Sequence, residues 1–188
     1  MKNWVFSIVT VFMLGGLVHK TASAQHDEKA INVGFSIPEV ALIDIEYLGS
    51  QTIEFELLPS SETGGSPVIR QRTNQELWIN YSSALGRFSQ HRSIVAQVTD
   101  GSLPQGLDLF VNATEYSGNG DGHTGVSAGK VKIGTDPRPV ITGIGSAYTG
   151  NGIGNGHRLN FEVDISQMEK VMANESIDFT ILYTLTDN

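Results

Sequence analysis

The sequence predicts an all-β protein, a single antiparallel β-sandwich of about eight or nine strands with Ig-like or jelly-roll-like Greek-key connections. Short segments in which apolar and polar residues alternate recur along the chain, and turns rich in Gly or Pro separate them. Apart from the N-terminal apolar run, no long segment has the 3.6-residue period of a helix. The chain contains no cysteine, so its core must hold the domain together without disulfides.

The first 24 residues have the features of a secretory signal peptide. Lys2 supplies the positive start, residues 4–18 are almost entirely apolar, and Ala22-Ser23-Ala24 forms an A-x-A cleavage site. We therefore expect cleavage after Ala24 and a sandwich domain over residues 25–188, with no membrane span after cleavage. The protein is expected to be exported to the periplasm, the cell surface or the medium.

The N-terminal half of this domain predicts five strands. Ile31–Ile37 alternates cleanly and ends at Pro38, which cannot donate a ladder hydrogen bond. Val40–Leu48 follows, with acidic residues on one of its two faces. The stretch from 59 to 74 is rich in Ser, Gly and Pro and is predicted to be mostly loop. The other three strands each carry one apolar row: Ile53–Leu57, Leu77–Tyr81 with Trp78 on the opposite face, and His91–Thr99.

The C-terminal half predicts further strands of the same kind. They are Leu107–Ala113, the shorter Val131–Ile133 and Val140–Ile144, then Arg158–Ile165 and Ile177–Leu185. We expect the last strand to be central to the core, with Phe179 and Ile181 pointing inward. Ser166 and Glu169 have the spacing of a capping box, which predicts a helix of one to two turns that ends near Asn174.

Two glycine-rich motifs resemble each other. The upstream motif, Tyr116–His123, reads Y-S-G-N-G-D-G-H, and the downstream motif, Tyr148–His157, reads Y-T-G-N-G-I-G-N-G-H. Both predict loops at strand ends, and we expect them to be paired at one end of the sandwich. Glycine readily adopts the positive φ of wide turns, and asparagine tolerates it, so turn formation alone explains this composition.

The same motifs also contain metal-ligand residue types. Asp121, His123 and His157 would form a zinc site if the paired loops brought them together. Calcium is the other candidate cofactor, because Asn119, Asp121 and the loop carbonyls are hard oxygen donors. Otherwise the sequence predicts no cofactor.

Three aromatic residues are candidates for ligand binding. Trp78, Tyr116 and Tyr148 would provide stacking surfaces for a sugar, and the alternative is that they pack against their own strands. No G-x-S-x-G elbow, H-E-x-x-H pair or cysteine nucleophile is present, so we expect no enzyme.

The net charge of the chain bears on which classes of partner it can bind. Of 12 basic and 20 acidic side chains, only Lys2 and Lys20 lie in the predicted signal, so the remainder carries a formal charge of −10. Such a surface argues against nucleic acid and against anionic membranes.

In layout the chain resembles the small exported sandwich proteins of Gram-negative bacteria, in the pilin-like and fimbrial-subunit group. The resemblance is carried by the signal, the cysteine-free acidic sandwich, the initial strand Ile31–Ile37 and the threonine-rich final strand 177–187. Unlike chaperone–usher pilins, the chain lacks a penultimate aromatic residue, and its complete final strand indicates a fold closed by its own strands. The resemblance implies a non-enzymatic structural subunit or adhesion module, with other subunits or glycans as partners. The alternative is a carbohydrate-binding module that uses Trp78 and the two tyrosines.

Overall fold

The computed structural model describes residues 29–73, 76–172 and 176–188. The chain divides into two units, Met1–Ser36 and Ile37–Asn188. The predicted signal peptide and its cleavage site lie outside the described residues. In the described part of the first unit, residues 29–36 belong to no helix or strand.

The second unit is built almost entirely from β-strands. In chain order its elements are β1 (Val40–Leu48), β2 (Phe55–Leu58), β3 (Val68–Gln71), β4 (Glu76–Ala84), β5 (Arg92–Asp100), β6 (Leu107–Ala113), β7 (Asp121–Ser127), β8 (Lys130–Ile133), β9 (Arg138–Tyr148), β10 (His157–Ile165), a 3-10 helix (Met168–Lys170) and β11 (Thr180–Asp187). Throughout the described ranges, no helix is both long enough and apolar enough to cross a membrane.

Nine strands form one antiparallel hydrogen-bonded sheet. Its order is β11-β5-β9-β4-β10-β6-β8, with β1 on β4 and β7 on β9, while β2 and β3 form a separate pair. The contact between β4 and β9 is short, because only Ser82 and Ser83 pair with Tyr148 and Ala147. That junction joins a layer of β1, β4, β10, β6 and β8 to a layer of β11, β5, β9 and β7. The predicted all-β antiparallel sandwich is confirmed.

The core lies between these layers and follows from the two-residue period of the strands. Leu77, Ile79 and Tyr81 alternate inward along β4, as predicted, while Trp78 faces outward. Each fully buried aliphatic side chain contributes about 1.5–3 kcal/mol relative to an exposed one. The fully enclosed apolar residues are Ile79, Ile94, Ala96, Val111, Ile133, Val140, Ile141 and Ile144.

The prediction of a first strand over Ile31–Ile37 is wrong. These residues form no strand, and Ile31 and Phe35 are 88% and 90% exposed. Alternation specifies which side chains would share a face, but a strand also needs a hydrogen-bonded neighbour. In the described structure the sheet begins with Val40.

The prediction of a central final strand is also wrong. β11 lies at the end of the sheet and pairs with β5, its one partner among the described strands. Phe179 and Ile181 pack against the core, as predicted, but both remain only half-buried. An edge strand has no second neighbour to cover its side chains, which explains this partial exposure.

Two local predictions differ from the structure, and a third is refined. The stretch between 59 and 74 is mostly loop, as predicted, but it also contains β3; the upstream glycine motif, predicted as a loop, contains the start of β7. The expected helix is a single 3-10 turn whose N-cap is Gln167, and no side chain caps it. Ser166 and Glu169 therefore form no capping box, while Asn174 lies outside the described residues.

A buried arginine joins the beginning and the end of the sandwich. Arg92 on β5 is 3% exposed, and its guanidinium donates to Glu39 at 2.5 Å and to Asp187 at 2.7 Å. It also donates to the carbonyl of Val40 and to Ser83 Oγ. A buried cation requires such partners. The start of β1 is therefore held against the end of β11.

Candidate functional site

The two glycine motifs lie beside each other, as the sequence predicts. Ser117 and Gly156 exchange two backbone hydrogen bonds of 2.9 and 2.8 Å. The backbone N–H of Asn119 donates to Asn155 Oδ1 at 3.1 Å. The motifs therefore form one hydrogen-bonded unit at the ends of β6, β7, β9 and β10.

The downstream motif is anchored to β4, where β4 changes its neighbour from β10 to β9. Asn80 is 4% exposed there; its Nδ2 donates to Asn155 O at 2.6 Å, and its Oδ1 accepts from Gly152 N at 2.7 Å. Thr149 and Tyr81 are also joined by hydrogen bonds. The backbone N–H of Thr149 donates to the carbonyl of Tyr81 at 3.0 Å, and the backbone N–H of Tyr81 donates to Thr149 Oγ1 at 3.0 Å. The loop is thus rigidly held at both ends.

The glycines of these motifs have two different structural roles. Gly152 and Gly154 have φ angles of 88° and 84°, with open space where a Cβ would lie. By contrast, a Cβ on Gly120 would overlap the carbonyl oxygen of Tyr148, and one on Gly156 would overlap that of Ile79. The first pair permits a left-handed turn, and the second pair permits close contact between backbones.

We expect Gly152→Ala or Gly154→Ala to lower the free energy of unfolding by about 1 kcal/mol, because alanine is strained at positive φ. Urea denaturation followed by circular dichroism measures this change. Gly134→Ala is the matched control, since Gly134 also has open space but does not have a positive φ. Equal unfolding midpoints for all three variants would contradict the role assigned to the turn.

His157, the first residue of β10, is fully buried and contacts residues of β4 and β7. Its Nδ1 lies 2.8 Å from Thr114 O and donates to it, because a carbonyl can only accept. Its Nε2 lies 3.0 Å from the Tyr81 hydroxyl and 3.2 Å from Thr124 O. The ring of Tyr81 stacks at 5.9 Å between centroids, and Tyr116 meets the imidazole edge-on at 6.0 Å.

Tyr81 keeps its proton in this cluster. Burial, and to a lesser extent the neighbouring Tyr116, raises the pKa of the Tyr81 hydroxyl above its ordinary value. The hydroxyl donates to the carbonyl of Thr124. Both imidazole nitrogens therefore face protein oxygen atoms: Nδ1 faces the carbonyl of Thr114, and Nε2 faces the Tyr81 hydroxyl and the carbonyl of Thr124.

The structure does not bring the predicted zinc ligands together. His157 faces the interior, whereas Asp121 and His123 are exposed on β7. Within ranges 29–73, 76–172 and 176–188, no three His, Asp or Glu side chains are grouped to hold a metal ion. Asp121 Oδ1 accepts from the backbone of Gly122 at 2.7 Å, as in an ordinary turn. Calcium at these loops stays a prediction.

The three aromatic candidates have different environments. Tyr116 is half-buried, and its hydroxyl accepts from Gly120 N at 2.6 Å and donates to Thr149 O at 3.3 Å. Trp78 is half-buried on the outer face of β4, between Glu46 and Arg158 of the adjacent strands. Only Tyr148, at 54% exposure, presents much of its ring to solvent. Tyr116 therefore packs inside the paired motifs, with its hydroxyl bonded to Gly120 and Thr149 and its ring against His157.

A feature that sequence reasoning missed lies beside Tyr148. Leu42 on β1 is opposite Ser82 on β4, and Ser82 is opposite Tyr148 on β9, so all three share one face of the sheet. They line an open depression of about 510 Å³. Asp44, Asn80, Gly150 and Asn151 also line it. These residues are far apart in the sequence, so only the pairing of β1, β4 and β9 shows that they lie together.

No protein-family model, curated protein or solved structure matches this chain. Function must therefore be inferred from the surface of the molecule itself. Two features of the described surface are typical of binding: the row of exposed apolar residues between 31 and 37, and the depression beside Tyr148. The paired glycine motifs, in contrast, are explained by the backbone contacts that they make.

Proposed function

We propose that this chain is a non-enzymatic structural subunit of an exported bacterial surface assembly, of the fimbrial or adhesion type. In this proposal residues 31–37 of one copy join the sheet of a second copy as an added strand. The supporting observation is the exposure of that segment: Ile31, Val33, Phe35 and Ile37 are 88%, 72%, 90% and 86% exposed.

The spacing of these four residues suits an added strand. Residues two apart lie on the same face of a strand, so the four apolar side chains would form a single continuous row. A contiguous exposed apolar surface of this kind is unusual in a monomeric protein and is typical of an interaction surface. Pro38 follows directly and would end the added strand, because it cannot donate to the ladder.

The sandwich offers edges that would accept such a strand. In the described chain β1 pairs only with β4, and β11 pairs only with β5. One side of β1 and one side of β11 therefore lack a neighbouring strand among the described residues. Inward-facing residues of β11 remain half-buried, namely Ile181, Tyr183 and Leu185. Strand addition at an edge provides main-chain hydrogen bonds, and it would cover such side chains.

The test compares substitutions on the two faces of the segment in the exported protein. We expect the parent to form multimers as its concentration rises, and Phe35→Asp to remain monomeric in sedimentation velocity. Ser36→Asp is the matched control, because it adds the same charge one residue away on the other face. Its multimers should match those of the parent.

Two outcomes would contradict the proposal. One is a parent that stays monomeric at every concentration. The other is equal loss of multimers in Phe35→Asp and Ser36→Asp, which would indicate a general charge effect. If the parent is monomeric and Phe35→Asp lowers its melting temperature, the segment packs on its own chain instead.

A further inference from the structure

We infer that the depression between Leu42 and Tyr148 is a carbohydrate-binding site, which takes one neutral sugar ring of a glycan against the face of Tyr148. This inference is independent of the assembly through residues 31–37. It changes the predicted aromatic platform, because Tyr116 packs inside the glycine motifs and Trp78 does not line the depression.

The first argument is the shape produced by the strand register. Ser82 pairs with Leu42 on one side and with Tyr148 on the other. Because adjacent strands lie about 4.8 Å apart, the Cα atoms of Leu42 and Tyr148 are about 10 Å apart. The small side chain of Ser82 lies between them. Leu42 is 65% exposed and Tyr148 is 54% exposed, so neither covers the other. A single flat ring fits between two such walls.

The second argument is the rigidity of Tyr148. Its backbone pairs with Ser82 on one side and with Asp121 on the other. The loop that follows it is held by the two hydrogen bonds of Asn80. A ring carried on a fixed backbone needs to lose only side-chain freedom when a ligand stacks on it, which favours binding.

The third argument is the set of polar groups around the ring. Asp44, Ser82 and Asn151 line the depression together with the backbone of Gly150. Asn80 has both ends of its amide engaged with the loop, so it supports the site and does not bind. Carboxylate, amide and hydroxyl groups beside an aromatic face suit a ligand that has both an apolar C–H face and several hydroxyls.

The fourth argument is charge. Among the described residues, Asp44 is the one carboxylate that lines the depression, and none of the lining residues is Lys or Arg. An anionic sugar or a phosphate would therefore meet repulsion without a compensating cation. A cationic side chain would use the single carboxylate but leave both apolar walls without a matching surface. A neutral sugar uses all of these groups.

The experiment probes the exported protein with an array of neutral and sialylated oligosaccharides, followed by calorimetric titration with the best neutral binder. We expect binding to neutral glycans, a loss of at least tenfold in affinity for Tyr148→Ser, and nearly full affinity for Tyr148→Phe. Tyr47→Ser is the matched control, since Tyr47 is a 46% exposed aromatic residue on β1 that does not line the depression. Its affinity should equal that of the parent.

Thermal melting by circular dichroism establishes that each variant is folded before titration. The inference is overturned if no neutral glycan binds, or if only sialylated glycans or cationic peptides bind. It is also overturned if Tyr148→Ser keeps the parent affinity, or if Tyr47→Ser loses as much affinity as Tyr148→Ser.

Discussion

His157→Ala should lower the free energy of unfolding by about 3–5 kcal/mol, the range found when a large buried ring is truncated. The imidazole has no exposed surface and fills the space between Tyr81 and Tyr116. Its removal leaves a cavity and deprives the part-buried carbonyl of Thr114 of its donor. The loss of this hydrogen bond accounts for about 1 kcal/mol of the expected change.

The control for this experiment is His123→Ala. His123 occupies the corresponding position in the upstream motif, but it is exposed on β7. We expect its substitution to change stability by no more than about 0.5 kcal/mol, as is usual at the surface. Urea denaturation of both variants provides the comparison. Equal effects of the two substitutions would show that the imidazole of His157 does not hold the motifs together.

Gly120→Ala should destabilise the protein by about 3 kcal/mol, near the upper end of the cost of overpacking. The new Cβ would overlap the carbonyl oxygen of Tyr148 and lie 2.6 Å from the carbonyl carbon of Thr149. These obstacles are backbone atoms of a paired strand and an anchored loop, so no side chain can rotate away. The two motifs would have to separate locally.

Gly152→Ala serves as the control for that separation. It introduces the same methyl group into the partner motif, but the space there is open and only the positive φ opposes it. Its cost should stay near 1 kcal/mol. Denaturant midpoints measure both changes, and amide hydrogen exchange at Ser117 and Gly156 reports whether the motifs separate. A Gly120→Ala variant that is no less stable than Gly152→Ala would contradict the close approach described here.

The paired glycine motifs have a structural role, and Tyr148, Gly150 and Asn151 of the downstream motif also line the proposed sugar site. The Tyr that begins each motif and the His that ends it have opposite environments in the two copies. Tyr116 is inside and Tyr148 is outside, while His157 is inside and His123 is outside. The similarity in sequence therefore reflects two turns that fit each other, and it does not reflect two copies of one binding site.

Several features could be predicted from the sequence because they depend on near neighbours in the chain. The alternation in β4 determines that Leu77 and Ile79 face the core, since successive side chains of a strand point to opposite sides. The glycines of the downstream motif predict a left-handed turn, since glycine alone adopts positive φ without strain. The all-β class follows from the same two-residue period.

Tertiary structure alone decided the features that depend on partners distant in sequence. Residues 31–37 alternate as cleanly as β4 does, but no neighbouring strand in the described structure pairs with them, and their apolar side chains are exposed. Likewise, Leu42 and Tyr148 are separated by more than one hundred residues in the chain. They lie on one face of the sheet because both pair with Ser82 of β4. A strand pattern encodes which side chains share a face, whereas hydrogen bonding between strands determines which of those faces meet a neighbour and which meet solvent.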